Sequence, residues 1–172
     1  MKHSTALPLA WGILRVLIVL NWLGGAAILT LLIATIVAEQ WTFTALGIQP
    51  SSYIRPMIMG LRAIAALGLV AIPLNHAVLK RLKAIVETVR RGDPFVAPNA
   101  DRLHAIAWTL LALQLLSIII GGIGKAISSP AQPLHLDAGF SLSGWLAVFL
   151  TFVLARVFAE GTRMREDLEG MV

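Results

Sequence analysis

The residues best equipped for proton or metal chemistry in this 172-residue chain are its four histidines and a handful of polar groups set in apolar surroundings. His3, His76, His104 and His135 fall in different segments, and none stands at metal-ligand spacing. Cysteine is absent, which removes disulfides, thiolate nucleophiles and Cys-based zinc or iron–sulfur centres. His135-x-Asp137 is too short and common a pattern to carry weight. Gly139-Phe140-Ser141-Leu142-Ser143-Gly144 misses the G-x-S-x-G nucleophile elbow, and neither a P-loop nor a dinucleotide fingerprint occurs. The expectation is therefore a non-enzymatic protein with no catalytic residues, no metal and no cofactor.

Four polar side chains within apolar stretches remain as candidates for a path or a ligand: Arg62, Asn75, His76 and Gln114. A basic residue at a bilayer centre costs roughly 2.5–3.5 kcal/mol on insertion scales, so Arg62 needs a role. It lies six residues inside Pro56, from where its side chain can snorkel outward; a substrate site is the competing role. Neutral polar groups such as Asn21, Asn75, His76 and Gln114 most often bond between helices, at about 0.6 kcal/mol each. His76 follows Pro73, whose missing N–H leaves a carbonyl to satisfy, and His76 is a candidate to cap that kink. Ser117-x(3)-Gly121, with Gly122 and Gly124, offers a small-residue face for close helix packing or for dimerisation.

What must position these residues is membrane helix. The chain is 58% hydrophobic and only 13% charged, with mean hydropathy +0.82, where a soluble domain carries roughly 45–50% and about 25%. Four segments reach the length of roughly 20 apolar residues that a bilayer requires, at about 11–38, 56–79, 103–124 and 138–158. Val16 to Ala38 alone is 23 residues without a formal charge, too long for a signal-peptide core. The expected fold is all-α: one polytopic four-helix bundle over residues 1–172 with helical cytoplasmic extensions.

The net charge of +5 and pI near 10.5 do not indicate direct nucleic-acid binding in so apolar a chain. They report topology instead. One side gathers Lys2, Arg15, Lys80, Arg81, Lys83, Arg90, Arg91, Arg102, Arg156, Arg163 and Arg165, which is 11 of the 14 basic residues. The positive-inside rule places that side, both termini included, in the cytoplasm of a bacterial inner membrane. Trp11 then falls at the inner interface, Trp41 and Tyr53 at the outer one. The outer connections, Glu39–Arg55 and Ile127–Asp137, are short and rich in turn residues.

The middle loop is more structured than a linker. Leu79, Leu82, Val86 and Val89 recur at helical spacing, with Lys83–Glu87 and Glu87–Arg91 as (i, i+4) pairs. The second helix should continue to about Arg91 and stop at Gly92, with Asn99 as N-cap of the third. The tail from Glu160 carries net −2 and the loop from Lys80 to Arg102 net +3, and both bear apolar stripes. Two outcomes fit: the tail and loop dock on each other, or together they form a surface for a partner. Such amphipathic helices also lie on anionic membrane lipid.

Gly92-Asp93-Pro94-Phe95, then Asn99, Arg102-Leu103 and Ile106-Ala107-Trp108, is similar to G-[DN]-P-F-x(3)-N-x(2)-R-L-x(2)-I-A-W. Ala155-Arg156-Val157-Phe158-Ala159-Glu160-Gly161, followed by Arg165-Glu166-Asp167, resembles a second motif, A-x-V-F-x-x-G-x(3)-[RQ]-E-[DE]. Both motifs resemble those of DUF2975, small bacterial membrane proteins with four helices; Met164 stands where that family pattern would have Leu. The resemblance implies no biochemical activity. It does imply partnership with small Cro-like helix-turn-helix DNA-binding regulators.

The leading expectation is a membrane sensor or tether whose cytoplasmic loop and tail control such a regulator. Its interaction residues would be Asp93, Phe95, Asn99 and Arg102 in the loop, with Phe158, Glu160, Arg165 and Glu166 in the tail. Phe95 and Phe158 would anchor the docking, and Arg102 would pair with Glu160 or Glu166. The alternative is a small transporter or channel component, a homo-oligomer lined by Arg62, Asn75, His76 and Gln114.

Overall fold

A computed structural model describes residues 6–38, 54–128 and 138–169. Among the described residues the chain is all helical: α1 (Ala6–Val37), α2 (Ile54–Arg90), α3 (Ala97–Ile127) and α4 (Leu142–Glu169). All four are long and apolar enough to cross a membrane. The protein is accordingly a multi-pass membrane protein, as its hydropathy requires. The 37 residues of α2 extend about 55 Å at 1.5 Å per residue, well beyond a hydrocarbon core of about 30 Å. Its last three turns stand outside the apolar layer. The outer-interface placement of Trp41 and Tyr53, and most of both outer connections, lie outside the described residues.

The helices form an open row. α1 packs on α2, α2 on α3 and α3 on α4, and no other pair of these helices is in contact. A closed bundle would bring α1 against α4. The reason is visible in α1, which carries Val16, Leu20, Leu23, Ile33 and Ile36 exposed around its circumference. An all-round apolar helix is satisfied by lipid on every face and needs only one protein neighbour.

Close backbone approaches set the other pairings. The Cβ of an alanine at Gly60 would lie 2.5 Å from Ile127 Cγ2, and one at Gly121 would lie 2.5 Å from the Ala138 carbonyl oxygen. The small-residue face of α3 is thus used within the chain, against the strand of backbone that leads into α4. Ser117 Oγ fixes that strand, accepting the Gly139 N–H at 3.1 Å. The fourth helix starts at Leu142 rather than near Ala138, because Ser141 caps it. Its Oγ accepts the Gly144 N–H at 3.1 Å.

The end of α2 matches expectation. Gly92, at φ +84°, stops the helix in a left-handed conformation, with Gly92 N–H donating to Val89 and Asp93 N–H to Thr88. This pair of bonds is a Schellman motif. The start of α3 does not match. Val96 is its N-cap residue, and Pro98 sits in the first turn, so Asn99 is inside the helix. Proline tolerates the first turn because its missing N–H would be unpaired there anyway.

Candidate functional site

The two sequence motifs meet at the charged end of the molecule, where α2 ends, α3 begins and α4 extends beyond the apolar layer. The Gly92 turn sends Asp93, Pro94 and Phe95 across the face of α4. There the Phe95 ring lies 5.2 Å from that of Phe158, tilted by 38°, within the range where aromatic pairs attract beyond their buried area. Gly161, one turn on from Phe158, makes room for it: a Cβ there would stand 2.9 Å from Phe95 Cδ1. Asp93 pairs with Arg165, one turn further along α4. Together these contacts make a latch between loop and tail.

Asn99 supports the latch from beneath. It is wholly buried, and its amide donates to Thr88 Oγ1 at 2.6 Å and to the Pro94 carbonyl at 2.9 Å. Its Oδ1 accepts from Arg102 at 2.7 Å. One side chain therefore ties the last turns of α2, the loop and the first turns of α3. That explains why an asparagine can be fully buried: both amide N–H groups and the carbonyl oxygen have partners.

Arg102 thus pairs with Asn99 and not with Glu160 or Glu166, which are exposed. The cross-element ion pair belongs to Asp93 and Arg165 instead. The physical reason is reach: Arg102 sits one turn after Asn99 on its own helix and is held there. Of the expected loop-helix pairs, Glu87 meets Arg91 at 3.2 Å and also Arg90 at 3.4 Å. Lys83 turns away from Glu87, and its Nζ lies 4.7 Å from the centre of the Trp11 ring.

The latch is open to its surroundings. Phe95 is 42% exposed, and the side chains of Arg165 and Asp93 are 46% and 42% exposed. Just toward the membrane from it, between α3 and α4, lies a cavity of about 330 Å³ lined by Asp101, His104, Phe152, Ala155 and Arg156. His104 Nε2 accepts from the Trp108 indole at 3.0 Å, and Phe152 packs edge-on to both rings.

The polar residues within the spans do not converge. Arg62 donates to the Thr35 carbonyl in the last turn of α1, a favourable place for a cation. It lines a cavity of about 280 Å³ with Ile28, Thr35, Ala65 and Ile120. His76 Nδ1 accepts from the Trp22 indole of α1 at 3.2 Å. The extra donor beside Pro73 comes from Asn21, which bonds the Ile72 carbonyl at 3.0 Å; His76 does not supply it. Asn75 is half-buried on α2. Gln114 faces α4, with Nε2 3.5 Å from the Ser141 carbonyl and Oε1 close over Gly144. Arg62 and His76 serve the α1–α2 interface, and Gln114 serves α3–α4.

Sequence reasoning missed three contributors. Thr88 and Trp22 gave no signal, being ordinary residues in helical stretches. Gly161 did give one, since Phe-x-x-Gly places a bare patch of helix one turn from a ring.

The fold and the latch define a small multi-pass membrane protein whose most specific geometry sits outside the apolar layer. The chain matches the family model DUF2975, a protein family of unknown function, over residues 63–172. It belongs to that family. No curated protein and no solved structure gives a significant match.

Proposed function

We propose that the protein is a non-enzymatic membrane sensor or tether whose latch presents or withholds a docking surface for a small helix-turn-helix regulator. The charged end then faces the cytoplasm of a bacterial inner membrane, as the distribution of Lys and Arg favours. One observation carries the reading: both family-like motifs close on each other at one half-exposed site, through Asp93–Arg165 and Phe95–Phe158. The ion pair adds less than about 1 kcal/mol to the cost of opening at this exposure, and the ring pair about 0.5–1.5 kcal/mol beyond its buried area. Opening would separate a net +3 loop from a net −2 tail and bare two phenylalanines. The transport reading has less support, since Arg62, His76 and Gln114 bond across two different helix interfaces rather than along one path.

The test is cross-linked affinity capture of the full chain from its native membranes, with bound proteins identified by mass spectrometry. Wild type is compared with Phe95→Ala and with Asp93→Arg at equal expression. Recovery of a helix-turn-helix protein whose yield changes in both variants supports the reading. Recovery of the chain alone from all three samples overturns it and returns attention to flux measurements.

A further inference from the structure

A second cluster at the charged end lies outside the latch. Trp11, near the start of α1, has Arg15 Cζ 4.6 Å from its ring centre, Lys83 Nζ at 4.7 Å and Arg90 Cζ at 6.0 Å. Three cations from two helices thus surround one indole. A ring face attracts each of them but neutralises none. Acidic groups nearby are scarce: α1 contains none, and Glu87 is the single acid in α2. Glu87 is already shared between Arg90 and Arg91, and Asp93 is taken by Arg165. Arg90 thus shares one carboxylate while, among the described residues, Arg15 and Lys83 pair with none, and the cluster keeps a net positive charge.

Its depth says what can compensate it. Arg15 immediately precedes the uncharged stretch that starts at Val16, and Lys83 lies one turn beyond Leu79, the last residue of the apolar run in α2. Trp11 is five residues outside Val16, or about 7 Å along the helix. That is the level of the lipid headgroups, which add about 5–7 Å to each side of the hydrocarbon core. Indole rings favour that layer.

We propose that Trp11, Arg15, Lys83 and Arg90 bind the phosphodiester headgroup of an anionic phospholipid. Lys83 and Arg90 donate to the phosphate oxygens, Arg15 closes the site from α1, and the indole holds the three cations at one place. The lipid would brace α1 against α2 at the end where α1 has no other charged partner on its own helix. The proposal stands independently of any regulator.

The experiment uses the full chain in micelles of a neutral detergent, with native mass spectrometry of retained lipid. Equal amounts of a phosphatidylglycerol and a phosphatidylcholine of matched chains are added. Wild type should retain the anionic lipid preferentially. Lys83→Gln with Arg90→Gln should lower that preference by about fivefold per cation removed, whereas Arg163→Gln, on the exposed part of α4, should leave it unchanged. Arg15→Gln provides a second route should the double variant fail to fold. Equal losses in Arg163→Gln would mean diffuse attraction and overturn the site. So would equal retention of both lipids by wild type. In a parallel arm, inorganic phosphate is added at the lipid's concentration and thermal unfolding is followed. Stabilisation by phosphate equal to that by phosphatidylglycerol overturns the lipid assignment in favour of a free anion.

Discussion

α1 and α2 are held together differently from α3 and α4. The first pair meets through polar bonds, Asn21 to Ile72, Trp22 to His76 and Arg62 to Thr35, and through the close seat of Gly25 against the Ile72 side chain, while most of α1 faces outward. In the second pair Gly121 of α3 lies against the backbone of Ala138 and Gly139, which leads into α4, and Gln114 covers Gly144. The latch then continues that contact past the apolar layer. In lipid there is no hydrophobic drive to pair helices, so association depends on such close packing and on polar bonds. Both pairs use both, but at α1–α2 the close contact is with a side chain that can shift, whereas α3 meets rigid backbone at the entry to α4 and the pair adds a charged extension. The family match begins at residue 63, inside α2, and so contains the tightly joined half and leaves α1 outside.

That contrast can be broken experimentally. The largest effect is expected for Gly121→Ala, whose methyl would meet the Ala138 carbonyl and Gly139 Cα, backbone atoms that cannot turn aside. A loss of about 3 kcal/mol is expected from overpacking, read as a lowered unfolding midpoint in detergent. Next is Asn99→Ala, which removes the partner of the half-buried Pro94 carbonyl and Arg102 and leaves a void at a wholly buried position; it should cost about 2 kcal/mol. Hydrogen exchange should show the 92–96 turn loosening before the membrane segments do.

Asp93→Arg should cost less than about 1 kcal/mol, with stability recovered when Arg165→Asp is added to reverse the pair. A double-mutant cycle showing no coupling would remove that ion pair from the latch. No loss is expected for Gly12→Ala on α1, where an added methyl meets nothing within 4 Å. The helix preference for alanine over glycine should instead add about 0.5–1 kcal/mol. A loss comparable to that at Gly121 would show that α1 is packed as tightly as the other helices and would end the contrast.

Much of this was legible along the chain. Four spans, the helical run of α2 to Arg90 and the Gly92 stop follow from local hydropathy and turn chemistry, which act over a few neighbouring residues. The latch residues Asp93, Phe95, Phe158 and Arg165 were legible as candidates, with the two phenylalanines as anchors of a loop–tail docking; that their rings meet each other was not. Nor was the partner of Arg102. Charge complementarity between a basic loop and an acidic tail leaves many pairings open, and one turn of helix moves a guanidinium by about 5 Å.

The sequence by itself determined that the protein crosses a membrane four times and collects most of its positive charge at one end. Those properties depend only on the solvent each residue prefers and need no knowledge of neighbours. Tertiary structure alone decided that the helices stand in an open row and that Asn99 is a buried three-way tie rather than a cap. It also decided that Asp93 meets Arg165 and that three cations gather on Trp11. Each of those facts joins residues distant in sequence, and side-chain direction across an interface is fixed by how the helices pack, not by spacing within either one.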